Sequence, residues 1–361
     1  MSPDHDVGPT TRTRLAGTNN TTSGSAFPEV APAVVGQICS LRGLGAGARA
    51  NGEYVDARNH LRTALALVDA HLASTDATPP TTLTHLTVDL LNELGIVGKF
   101  AGWFDEADAA YVRAMAMEWG SGAPRPAKVA SLRHNLAGLA HARGRFAEAE
   151  QFARSGLSMR EALIPADPVG MACDEIALAG ILVSLGSAES LEEALHLTDT
   201  ARPADAGVAG GHMPSRLLTD SLGPDHPEVL VAMSIRAAAL HRRGHPDDLV
   251  EAEHLYRLVI VAKERVLGAH HPDLVPTLVN HATLLVDHPI ANAQVAEARV
   301  SEAQNQYRRA QAILADAGLP DHPTNHHIGA ALAVLDGIRP EFGRNPTQNP
   351  ANGNPANGNA E

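Results

Sequence analysis

The run Leu94-Gly95-Ile96-Val97-Gly98-Lys99-Phe100-Ala101-Gly102-Trp103-Phe104-Asp105-Glu106-Ala107 decides the fold of this chain. A small residue, Gly95, precedes a second glycine, Gly102, by seven positions, and Ala107 follows that glycine by five. The same interval recurs at Gly45/Gly52, Ala137/Gly144, Ala179/Gly186 and Ala237/Gly244. An alanine again follows by five at Ala57 and Ala149, and by eight at Ala194 and Ala252. Repeated at this period, the pattern spells a helix, a tight turn and a second helix. Small residues in mid-helix and early in the next helix let two backbones come close. Glycine at the turn tolerates the left-handed backbone that ends a helix. A single hairpin cannot bury its apolar face alone, so neighbours must stack.

Six hairpins follow from this spacing. They are expected at about 28–72, 79–120, 126–164, 167–202, 226–267 and 272–318, with a capping helix at about 325–338. The fourth and fifth are expected to hold three extra residues between the turn glycine and the second helix. The sixth has Pro289 in place of its turn glycine. Residues 201–222 read as a long Gly/Ala-rich connector. The expected organisation is a disordered segment over 1–26, a helical stack over 27–340 and an Asn/Pro/Gly-rich disordered tail over 341–361. That tail has too little apolar content to offset its chain entropy.

Composition agrees with helices packed at short range. The chain has 361 residues, 44% of them hydrophobic but only 3% aromatic, so Ala, Leu and Val must fill the core. Alternating strand-like runs are missing, which predicts an all-α protein. A formal charge of −13 argues against nonspecific nucleic-acid binding. Three lysines among 28 basic residues suggest a GC-rich bacterial genome. Cys39 and Cys173 read as buried small residues. No signal peptide and no apolar run of membrane-spanning length stands out, so a cytoplasmic location is expected.

The pattern Leu-Gly/Ala, Gly, aromatic, Ala, aromatic, Ala resembles the tetratricopeptide repeat. Leu94-Gly95, Gly102, Phe104, Ala107, Tyr111 and Ala114 carry it, as do Leu136-Ala137, Gly144, Phe146 and Ala149. The 42-residue step from Gly95 to Ala137 to Ala179 resembles the kinesin-light-chain type. So do Gly223-Pro-Asp-His-Pro, Gly268-Ala-His-His-Pro-Asp and Leu319-Pro-Asp-His-Pro, together with Asn135 and Asn280. The resemblance implies a right-handed α-solenoid of about six hairpins, and a role in protein association.

Motifs for chemistry are scarce. The chain has no GxSxG elbow, no phosphate loop, no dinucleotide fingerprint, no HExxH and no paired CxxC. It is therefore not expected to be an enzyme or to hold a cofactor or metal. Nineteen histidines include the pairs His270-His271 and His326-His327. The Asp-His-Pro runs precede predicted helices, where Asp can cap and Pro suits the first turn.

Functional candidates come from the face that the first helices share. Counting from each small residue gives Arg42, Arg49, Asn92, Lys99, His134, Asn135, His141, His241, Arg242 and Asn280. The cations among them, with Asp89 as the lone anion counted, suggest a groove that attracts an anionic ligand. The same positions also read as solvated face residues. Asn135 and Asn280 could hold an extended backbone. The leading expectation is an adaptor or scaffold gripping an extended segment of a protein or peptide, acidic if the cations are used. The alternative is an enzyme or biosynthetic accessory factor with a histidine base in the hollow. Neither nucleic acid nor membrane is an expected partner, and oligomeric state stays open.

Overall fold

The computed structural model describes residues 32–74, 79–199, 214–287 and 292–337. The segments expected to be disordered, 1–26 and 341–361, fall outside them. Among the described residues the regular structure is entirely helical. The first hairpin pairs α1 (Pro32–Ala50) with α2 (Tyr54–Ala73), and the second pairs α3 (Thr81–Ala101) with α4 (Phe104–Gly120). The third pairs α5 (Pro126–Ala142) with α6 (Phe146–Glu161), and the fourth α7 (Pro168–Leu185) with α8 (Ala188–Leu197). A short helix, α9 (Pro214–Leu222), precedes the fifth pair, α10 (Pro227–Arg243) and α11 (Pro246–Leu267). The sixth joins α12 (Val275–Asp287) to α13 (Ala293–Asp316), and α14 (Pro323–Gly337) packs on α13 as a cap. Consecutive pairs stack into a tetratricopeptide-like solenoid.

The turn glycines stand where their chemistry requires. Gly102 closes α3 in the left-handed region at φ 79°, its N–H directed to the Gly98 carbonyl. Trp103 donates to that same carbonyl at 2.8 Å, which satisfies a helix-end acceptor and reverses the chain. At the crossing, Gly95 lies under the Tyr111 ring, where a Cβ would overlap it. Ala57, Ala107, Ala149, Ala194, Ala252 and Ala303 are all buried.

Several expectations change. Second helices α8 and α11 begin two residues after Gly186 and Gly244, as α2, α4 and α6 do after their glycines. The three extra residues of the fourth and fifth hairpins thus lie inside the helix. They carry the contact alanine about one turn further along the same face. Part of the 201–222 connector is helical: α9 packs on α7 with Leu218 fully buried, while 200–213 lie outside the described residues. Cys39 is exposed and Cys173 half-buried, so neither is the core residue expected. At His226, His271 and His322 the histidine, rather than an aspartate, caps the following backbone: each Nδ1 accepts from the N–H two residues on, whereas His245 makes no such cap.

An apolar stretch of spanning length also exists. Pro168–Leu185 has 18 residues and a mean hydropathy of 1.6. This helix, α7, is enclosed by α6, α8, α9 and α10, which is the position of a core helix.

The stack turns back on itself. Tyr54 at the start of α2 donates its hydroxyl to Asp273 Oδ1 at 2.8 Å, across 219 residues. The loop before α12 seats on the α1–α2 turn, and the loop before α14 seats on the α3–α4 turn. One apolar core accordingly joins Leu61 and Tyr111 of the first hairpins with Leu278, Tyr307 and Ile328 of the last.

Two predictions test the packing. A methyl at Gly95 meets the Tyr111 ring, so Gly95→Ala should destabilise by about 1–3 kcal/mol, read by urea unfolding. Gly47, exposed within α1 with open space around it, is the control; Gly47→Ala should stabilise by about 0.5–1 kcal/mol. The second concerns His281, 1% exposed with neither ring nitrogen partnered among the described residues. Burial lowers its pKa, so its neutral form is the folded one. The stability it leaves intact above its unfolded pKa, about 6.5, drains away as pH falls below that value. His281→Leu should raise stability by about 1 kcal/mol at pH about 8, with a wider gain near pH 5.5 in thermal melts.

Candidate functional site

Polar residues of the first helices are tied to the next first helix along. Arg42 on α1 reaches Asp89 on α3 at 3.7 Å, and Asp89 also receives Arg125 at 3.3 Å and Lys128 at 2.9 Å. Arg49 bonds Glu93 at 3.2 Å. Asn135 Nδ2 on α5 donates to Asn92 Oδ1 on α3 at 2.8 Å, and both residues are buried. His134 meets Asp174 on α7 at 2.7 Å, and His141 meets the Ser184 hydroxyl on α7 at 2.7 Å. On α10, His241 pairs with Asp287 of α12 at 3.1 Å. These are staples between successive hairpins, and they explain why long polar side chains occupy this face.

The expected cationic lining is therefore corrected. Arg42 and Arg49 are paired with carboxylates, and the anions of this face include Glu93 and Asp174 as well as Asp89. Glu93 stands one helical turn after Asp89, a spacing that could have revealed it. Asn135 spends its amide on Asn92, within protein. Arg242 lies with its guanidinium against the Gly186 turn, and Asn280 is half-buried on α12; neither has a hydrogen-bond partner among the described residues.

Lys99 stands apart. Its ammonium has no hydrogen-bonding or ion-pair partner among the described residues, and it sits 4.4 Å from the Phe100 ring centroid. Gly138 on α5 makes room: a Cβ there would lie 3.3 Å from Lys99 Nζ. Burial pushes the Lys99 pKa down, while the negative fields of Glu228 and Asp273 oppose that shift. His141 is its neighbour, with a pKa lowered first by burial and then by the Lys99 charge. Gly138 on α5 and the fields of Glu228 and Asp273 thus reach one ammonium from distant parts of the sequence, which helix spacing alone could not give.

The histidine–carboxylate pairs do not form a catalytic set. Asp174 gives its second oxygen to Arg160 Nε at 2.7 Å, and Arg160 also holds Asp167. With both oxygens engaged, Asp174 is the centre of a staple joining α5, α6 and α7. Burial pushes the Cys173 thiol beside it up to about 12, which keeps it protonated and poorly nucleophilic. Among the described residues, no three His, Cys, Asp or Glu side chains converge as metal ligands.

Comparison with known proteins agrees with the architecture. The tetratricopeptide-repeat family matches residues 129–168 and 229–273, the third and fifth hairpins. Those two spans carry tetratricopeptide repeats. Solved structures that it resembles include BtubC (BKLC) from P. vanneervenii, at 15% identity and a TM-score of 0.41, covering 91% of this chain and 99% of that one. Another is the TPR2AB domain of yeast Sti1 in a pHSP90 complex, at 13% identity and a TM-score of 0.30, covering 84% and 99%. No curated protein matches the chain. Tetratricopeptide repeats generally mediate association between proteins.

The staple reading makes a specific prediction. Asn135→Leu alone strands the Asn92 carbonyl in a dry contact and should cost about 1–3 kcal/mol. Replacing both asparagines by leucine should cost less than that single change, as a double-mutant cycle by chemical unfolding would read.

Proposed function

We propose that this chain is a protein-binding scaffold whose inner face holds an extended segment of a partner, with a partner carboxylate seated on Lys99. The single observation that supports this is the Lys99 ammonium, half-buried yet without a carboxylate partner among the described residues. A buried charge is costly unless paired, and an incoming carboxylate would pair it. Neighbouring staples then serve to fix the site, since Arg49–Glu93 and His141–Ser184 hold the walls on either side. Peptide carbonyls along the groove would find the remaining N–H capacity of Asn280 and of Arg242.

The second reading, a histidine base acting on a small ligand in the hollow, draws on the His141–Ser184 contact. It is weaker: no carboxylate orients the other nitrogen of His141 among the described residues, and its lowered pKa reflects burial beside a cation. Proteins built of tetratricopeptide repeats are typically non-enzymatic, which favours the first reading.

Titration calorimetry with an eight-residue glutamate peptide, against a glutamine peptide of equal length, tests the preferred reading. The native chain should bind the acidic peptide, and Lys99→Met should weaken it about tenfold or more, as loss of one charge-assisted contact implies. Equal affinity for both peptides, or no effect of Lys99→Met, would overturn it.

A further inference from the structure

Beside the Tyr54–Asp273 hydrogen bond and the shared apolar core, two further contacts help close the stack, and they are built alike. His271 accepts the Asp273 N–H at Nδ1 (3.1 Å) and directs Nε2 to the Ala50 carbonyl (3.2 Å). His322 accepts the Thr324 N–H at Nδ1 (3.2 Å) and directs Nε2 to the Phe100 carbonyl (3.2 Å). Each accepting carbonyl lies two residues before a left-handed turn glycine, Gly52 or Gly102. Each histidine is followed by a proline that packs on that glycine: a Cβ on Gly52 would overlap Pro272 Cδ, and one on Gly102 would lie 2.5 Å from Pro323 Cδ. A third copy, His226-Pro227, makes the same cap to Glu228 N–H but reaches no such turn among the described residues.

This geometry admits one protonation state. With Nδ1 accepting a backbone N–H, the ring must carry its proton on Nε2, where it donates to the carbonyl. A second proton would set N–H against N–H and break the cap that aims the ring. We propose that His271 and His322 form a proton-released clasp that holds the stack closed and governs entry to its interior. Control of entry rests on the inner face being the binding surface; the clasp itself does not.

The charges around each ring set the balance. Asp273 Oδ2 lies 4.0 Å from His271 Nδ1 and offers the protonated ring an alternative partner. Its own carboxylate is held by the Tyr54 hydroxyl, and Lys263 Nζ bonds its carbonyl at 2.9 Å. Nearby, His270 faces Asp316 at 3.5 Å, Arg309 donates to the Ala269 carbonyl, and Arg49 lies within the field of Tyr54. At the second clasp the sequence places Lys99 beside the accepting Phe100 and Asp321 beside His322. Burial lowers the pKa of His322, as a ring held neutral requires.

Protonating a ring that caps through Nδ1 breaks its clasp, so opening should become favoured as pH falls below the ordinary histidine pKa of about 6.5. Spin labels on Asn51→Cys and Ala269→Cys, in the full chain with Cys39→Ser and Cys173→Ser, report the gap by pulsed dipolar spectroscopy. One short distance is expected near pH 8, with a long one growing in near pH 5.5 while helical circular dichroism holds. His271→Gln/His322→Gln should lose that pH dependence, and His226→Gln should keep it. An unchanged native distance, a pH response surviving the double glutamine change, or a response abolished by His226→Gln would each overturn the clasp. The distances are read without peptide: a clasp that opens in a chain blind to the glutamate peptide would stand while the binding reading fell.

Discussion

Two helices lie close only where neither carries bulk at the crossing, and every other feature of this fold depends on that constraint. Gly95 beneath Tyr111 shows the limit, since the ring occupies the space of a side chain that glycine lacks. Buried alanines at the start of the second helices do the same on the opposite wall. Dispersion and hydrophobic burial then act over short distances with few aromatic side chains. Hairpins formed this way have a second apolar face, so stacking follows from the same residues.

Stacking fixes what the inner face can do. Polar side chains on the first helices come within reach of the next hairpin, and most are consumed there: Arg49 by Glu93, Asn135 by Asn92, His134 by Asp174. Such contacts set the angle between hairpins and hold the groove rigid. Lys99 gains meaning against this background. It is a cation on a face where the other candidate cations of the first two hairpins have found partners. The negative fields of Glu228 and Asp273 reach the same ammonium.

Helix order, turn glycines and the six-hairpin count were legible because local chemistry dictates them. A left-handed glycine after an apolar helix leaves few alternatives at Gly52, Gly102 or Gly144. The misreadings came from contacts that no local pattern records. Histidine took the capping role expected of aspartate at His226, His271 and His322, and the returning loop before α12 is held by Tyr54 and Asp273, more than 200 residues apart. Three added residues in the fourth and fifth hairpins extended a helix, since a whole turn preserves its buried face while a longer loop would not.

By itself, then, the order of residues determined the repeated helix–turn–helix unit and the stacking of one unit on the next. Those are consequences of side-chain size and backbone freedom within about forty residues. Tertiary structure alone decided which charges remain unpaired and that the sixth hairpin returns to the first. Pairing between surfaces depends on the accumulated angle over five hairpins, and small differences at each crossing sum before the ends meet.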